Sequence, residues 1–224
     1  MQSTKEQILT HLKRAGGGTV DSVATEFGLA RMTVRQHLVV LERDGLVVSR
    51  QERRQKGRPR LFFTLSEGGQ EMFPKRYERL ADLALQEVAS LEAEEIQGLS
   101  PEEKKRLLLK KMADRVYRQH EARVREKSLR ERVVIVTDIL REEGGFAEWS
   151  DHGGEFEIAD HNCVYRRVVD SHRDLCDWHL SLLGQLLGRD VQCSQFMSQG
   201  AESCRFIVRR DTEAPRIPEI EGKG

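Results

Sequence analysis

Four cysteines, Cys163, Cys176, Cys193 and Cys204, all fall in the last third of a 224-residue chain, spaced C-x12-C-x16-C-x10-C. Thiolate sulfur is a soft metal donor and a nucleophile, so this grouping points to metal, cluster or redox chemistry. Zinc ribbons and fingers present close C-x2–4-C pairs and c-type haem needs C-x-x-C-H; neither spacing occurs. Dispersed thiolates from separate elements suit an iron–sulfur cluster, whose irons are held by cysteine sulfur. The same residues also read as small buried hydrophobes, as free cysteines often are. His161, two residues before Cys163, is a non-thiolate candidate whose plainer reading is a hydrogen-bonded loop residue.

A second chemistry sits at the other end. Between Arg50 and Arg60 the chain carries Arg50, Arg53, Arg54, Lys56, Arg58 and Arg60 against one acid, Glu52. Just upstream, Arg31, Thr33, Arg35 and Gln36 stand off an apolar Val34/Leu38/Leu41 stripe. On a helix in a major groove, Arg pairs with guanine, Gln with adenine, and Thr contacts base or phosphate. A cationic hairpin tip lies along the backbone or enters a narrow minor groove. Arg31, Thr33, Arg35, Gln36, Arg54, Lys56, Arg58 and Arg60 are therefore the candidate DNA-binding residues. The plainer alternative is a protein-binding winged helix with a solvated basic loop.

The elements that must position these groups follow from periodicity. Ile8, Leu9, Leu12 and Ala15 predict a helix over Thr4–Ala15, ended by Gly16-Gly17-Gly18. A short helix over Thr19–Phe27, a turn at Gly28 and a third helix over Ala30–Asp44 make a helix-turn-helix. Strands at Gly45–Ser49 and Leu61–Leu65, with Gly57 and Pro59 between them, make the hairpin wing. From Glu71 to Gly98, apolar residues every three or four positions predict one long amphipathic helix, whose Met72–Leu91 face is the expected dimer contact. Ser100-Pro101-Glu102-Glu103 and Ser128-Leu129-Arg130-Glu131 are capping boxes opening two more helices, the second stopping at Gly144-Gly145. Strands at 146–149 and 155–159, a helix over Val168–Leu187, and a hairpin of Val191–Met197 with Ser203–Arg209 complete the chain. The expected class is mostly α with β-hairpins (α+β). Its layout is a winged helix-turn-helix at 1–70, a helical connector and dimerisation region at 71–143, a cysteine-bearing cluster domain at 144–210 and a disordered tail at 211–224.

Composition narrows the classes. Apolar residues make up 38% and charged residues 33%, enough for a core and against wholesale disorder. Net charge is zero, yet residues 1–80 hold 15 basic against 9 acidic side chains, and residues 81–160 hold 13 against 19. A basic head on an acidic middle expects a polyanion partner for the head alone. The longest aliphatic runs, Leu38–Leu41 and Val133–Val136, are far short of the ~20 residues a spanning helix needs. The first residues hold no apolar h-region, so a cytoplasmic protein without a secretory signal is expected. No positioned Cys/His pair with a carboxylate, no Gly-rich phosphate loop and no H-E-x-x-H occurs, so neither an enzyme nor a small-molecule substrate is expected.

The run Met32-Thr33-Val34-Arg35-Gln36-His37-Leu38, followed by Leu41-Glu42-Arg43-Asp44-Gly45-Leu46-Val47, resembles the recognition helix and exit of ArsR/DeoR-type winged-helix repressors. His161-Asn162-Cys163-Val164-Tyr165, then Leu175-Cys176, then Gly200-Ala201-Glu202-Ser203-Cys204-Arg205-Phe206 resemble the SufR family. These are iron–sulfur-sensing winged-helix repressors of the suf cluster-assembly operon, and the likeness runs through nearly the whole chain. It implies that Cys163, Cys176 and Cys204 ligate a cluster, 4Fe–4S ahead of 2Fe–2S, with a labile fourth position; Cys193 fits least well. It further implies a homodimer on an operator palindrome that represses while the cluster is present and releases when it is lost. The rival expectation is a winged-helix repressor that senses metal or thiol redox state without a cluster.

Overall fold

A computed structural model describes residues 3–52 and 59–210, and the chain divides into two compact units, Met1–Lys75 and Arg76–Gly224. In the first, α1 (Thr4–Ala15) opens at Ser3, whose side chain accepts from the Glu6 amide while Glu6 answers the Ser3 amide, and it closes at Gly16 with φ 67°. Thr19 and Ser22 cap α2 (Val20–Phe27) in the same reciprocal way. The turn through Gly28 (φ 61°) leads to α3 (Arg31–Arg43). Ile8, Leu12, Val23, Val34, Leu38 and Leu41 from these helices form the core with Val47 and Phe63 of the wing.

The wing strands are β2 (Val47–Glu52) and β3 (Arg60–Leu65), antiparallel from Val47 opposite Leu65 to Glu52 opposite Arg60. The sequence reading took Gly16–Gly18 only as a helix stop. In fact Gly18-Thr19 forms a third strand, β1, pairing with Phe63 and Phe62, so the sheet order is β1-β3-β2. Gly17 makes this approach possible: at φ 133°, a Cβ there would lie 2.5 Å from the Phe62 ring and 2.7 Å from the Phe63 carbonyl. This first unit is a winged helix-turn-helix.

The single helix expected over Glu71–Gly98 is instead three pieces: α4 (Glu67–Glu71), α5 (Tyr77–Ala89) and α6 (Ala93–Ile96). Pro74 disfavours helical backbone at the residue before it and supplies no amide, which separates α4 from α5. Ser90 returns its hydroxyl to the Glu87 carbonyl and ends α5. The capping boxes at Ser100 and Ser128 open α7 (Pro101–Val124) and α8 (Leu129–Glu142) as read.

The second unit continues with β4 (Ala147–Asp151), β5 (Glu155–Asp160), α9 (Arg166–Ser171), α10 (Asp174–Leu187), β6 (Val191–Gln195), a 3-10 turn at Met197–Gln199 and β7 (Cys204–Arg209). Its antiparallel sheet runs β4-β5-β7-β6. Here too an expected helix is split. His172, at φ −134° and ψ 79°, leaves the helical region between α9 and α10, so Cys176 sits in the first turn of α10 rather than mid-helix. Leu83 of α5, Met112 and Val116 of α7, Val133 and Val136 of α8, and Leu183 and Leu186 of α10 share one core with Phe156, Ile158 and Phe206 of the sheet. The residues assigned to a connector and to a cluster domain therefore belong to one body, because the apolar faces of α7 and α8 have the sheet-bearing half as their partner. Among the described residues no helix is long and apolar enough to cross a membrane.

Candidate nucleic-acid interface and thiol centre

On α3 the buried stripe Val34/Leu38/Leu41 turns the opposite side outward, and Arg31, Thr33, Arg35 and Gln36 are all exposed. Ala30 at the N-cap offers no side-chain acceptor. The first amides of the helix thus keep no side-chain cap and, with the dipole, can face an anion such as phosphate. Arg31 pairs with Asp21 at 3.0 Å, but both side chains are more than half exposed, so the pair is weak and water-competed. The sequence reading passed over Met32 and Val39, which are 65% and 53% exposed. At i, i+3, i+4 and i+7, Met32, Arg35, Gln36 and Val39 share one helix face, where apolar groups suit thymine methyls. Their displacement from the buried stripe was the available signal.

In the wing, Arg60 pairs with Glu52 at 3.2 Å across the strands. Arg50 stacks over the Phe62 ring at 5.1 Å. The one acid of the tract thus engages the last strand pair before the loop. Arg54, Lys56 and Arg58 lie outside the described residues.

The thiols come from four places. Cys163 follows β5, Cys176 lies in the first turn of α10, Cys193 is on β6 and Cys204 opens β7. All four are free and half-buried against the core. Cys204 lies within electrostatic reach of Cys163, Cys176 and Cys193. Cys193, which fits the resemblance least well, is thus among the thiols near Cys204. A bulge between Cys193 and Gln195 re-aims the strand there, and the Cys193 thiol also donates to the Gln195 carbonyl at 2.9 Å. Cys204 accepts from the Met197 amide at 3.4 Å, and Cys176 lies 3.6 Å from the Ser198 hydroxyl.

The loop carrying Cys163 is clamped by its own polar groups. Asp160 accepts from the amides of Phe146 (2.8 Å) and Asn162 (3.0 Å), and the Asn162 side chain donates to the Gly144 carbonyl at 2.8 Å. His161 reaches Glu148 through Nε2 at 3.3 Å, while its buried Nδ1 has no hydrogen-bond partner. Burial pushes the Cys163 thiol up to about 12. Burial likewise raises Cys176. Cys204 is raised by its neighbour Cys193 and by burial, and Cys204 in turn lowers Cys193. The result is one thiol shifted toward the thiolate beside three shifted away from it. Among the described residues, no three His, Cys, Asp or Glu side chains stand where they could hold a single metal ion.

Residues 4–65, the winged helix, match the family model described as FaeA-like protein. No curated protein gives a significant match. Among solved structures, the crystal structure of Bacillus subtilis PadR in complex with operator DNA is similar at 17% identity, covering 81% of this chain and 98% of that one, with a TM-score of 0.29. At that score the likeness carries no weight on its own. The family match covers only the first unit, whose winged-helix topology is independently visible in its three helices and three-stranded sheet.

Proposed function

We propose that this chain is a DNA-binding transcriptional repressor that senses iron–sulfur cluster status and controls cluster-assembly (suf) genes. The observation that supports it most is the meeting of four free thiols from separate elements around Cys204, in a chain whose other unit is a winged helix with an exposed, polar recognition face. An all-sulfur donor set suits a cluster, whose irons are held by cysteine sulfur. Cys163, Cys176 and Cys204 are the assigned ligands, with Cys193 placed to supply the fourth position, and a 4Fe–4S cluster is favoured over 2Fe–2S. When bound, a cluster supplies a cross-link between elements that oxidants or iron shortage can remove. The chain's own part is to hold the Cys163 loop through Asp160 and Asn162, to present Cys176 at the first turn of α10, and to set Cys204 at the start of β7. Because three thiols are held protonated, loading the site expels protons and tightens as pH rises.

DNA recognition is assigned to Arg31, Thr33, Arg35 and Gln36 for bases and to Arg54, Lys56, Arg58 and Arg60 for phosphates. Two copies joined through the exposed Leu85 and Val88 of α5 would read an operator palindrome. Iron and acid-labile sulfide per chain, together with the visible spectrum of anaerobically purified protein, test the cluster. A brown protein whose retention of a suf operator fragment falls when the cluster is stripped supports the reading, and a colourless, iron-free one overturns it.

One observation favours a second reading. Cys193 and Cys204 are neighbouring thiols, one lowered and the other raised, an arrangement that suits disulfide formation in a repressor without a cluster. In that case peroxide removes two titratable thiols per chain and changes operator affinity with no iron present.

A further inference from the structure

We propose that the second unit binds a small, uncharged, mainly apolar effector bearing one hydrogen-bond acceptor, in a cavity walled by α7, α8 and α10. The cavity encloses about 80 Å³ and extends to about 790 Å³ with its open mouth included. Val116, Val136, Ile139 and Leu183 form apolar wall. Two residues of the lining, Trp178 of α10 and His120 of α7, each carry a buried nitrogen, the indole Nε1 and the imidazole Nε2, without a hydrogen-bond partner.

Trp178 is only 4% exposed, and its indole is a donor with no acceptor capacity. A buried donor left unmade is costly, and native interiors rarely keep one without a reason. An acceptor atom on a bound molecule satisfies it. His120 is held neutral by burial, helped by Arg123 and Arg79, so it presents a second uncharged polar contact.

The charges at the cavity disfavour an anionic ligand. Arg79 and Glu143 line it but pair with each other. Asp160 lines it too, with an oxygen already accepting two loop amides, and its negative charge disfavours an anion. Water alone needs two to four polar partners, and most of this wall offers none. The enclosed part is about half the ~150 Å³ that takes a benzene ring, so a substituted ring would seat partly in the mouth. Such a molecule would be an effector rather than a substrate. Cys163 and Cys204 also line the cavity, but the inference does not rest on the thiols holding a cluster.

The probes are acetophenone, an aromatic ring with one carbonyl acceptor, and ethylbenzene, its acceptor-free counterpart, added to the full reduced and chelator-treated chain. The chain has two tryptophans, so in nitrogen-15 spectra the indole of Trp149 serves as the internal reference for that of Trp178. The expected result is a saturable shift of the Trp178 indole alone, with acetophenone bound about three- to tenfold more tightly than ethylbenzene, the worth of one hydrogen bond. Trp178→Phe keeps the packing and should erase that preference while ethylbenzene still binds. Cys176→Ser, at an assigned cluster ligand outside the cavity lining, should bind both probes as before, which separates this site from the cluster reading. No saturable Trp178 shift, or a preference that survives Trp178→Phe, overturns the proposal.

Discussion

At the residue scale, desolvation and shared hydrogen bonds decide which groups can change charge. Burial holds the His179 imidazole, edge-on to Phe206 at 5.5 Å, down at about 4 from an ordinary value of 6.5. A depressed histidine stabilises the fold fully above pH 6.5. As pH falls toward 4 the unfolded chain takes a proton that the native ring refuses, and that stability is lost. Between pH 7 and pH 5 the loss should be on the order of 2 kcal/mol. His179→Phe should flatten the fall in melting temperature over that window, and an unchanged slope would assign it to other groups. On the recognition helix, Gln36→Ala should cost about 1–3 kcal/mol on the operator and little on random DNA. Equal losses in binding titrations on both DNAs would demote Gln36 to a phosphate contact.

At the element scale, short signals position long consequences. Gly17 is the one residue whose absent side chain lets β1 close on β3, since a Cβ would meet both the Phe62 ring and the Phe63 carbonyl. Gly17→Ala should therefore destabilise the first unit by about 1–3 kcal/mol, read as its own denaturation midpoint, with the second unit unmoved. An unchanged midpoint would mean that the close approach is relieved by a small shift. In the wing, Arg60→Ala should lower the slope of log affinity against log salt by about one if Arg60 meets a phosphate. A constant slope would leave its bond to Glu52 as the whole of its role. The reciprocal caps at Ser100 and Ser128 were legible because each is complete within four residues. The break at Pro74 was equally local but lost to the apolar periodicity running across it. The break at His172 had no such marker: Ser171-His172-Arg173-Asp174 carries no proline or glycine, and the split appears only where α9 and α10 pack.

At the scale of the whole molecule, the two units make separate tests possible. If the thiols hold the proposed cluster, Cys204→Ser should abolish the colour of anaerobic protein while the first unit keeps its melting behaviour. Retained colour would shift the ligand set to the other three cysteines. What the sequence determined by itself was the winged helix-turn-helix, the caps at Ser100 and Ser128 and the exposed polar face of α3, because each depends on spacing within one or two turns. Tertiary structure alone decided that the residues of α5, α7 and α8 share a body with the sheet, and that Cys193 lies near Cys204. It also decided that Trp178 and His120 come to one cavity. These depend on strand register, as in Asp160 opposite Cys204, and on helix faces brought together from distant parts of the chain. An apolar stripe states that a face must be buried; only the closing of the chain selects the partner that buries it.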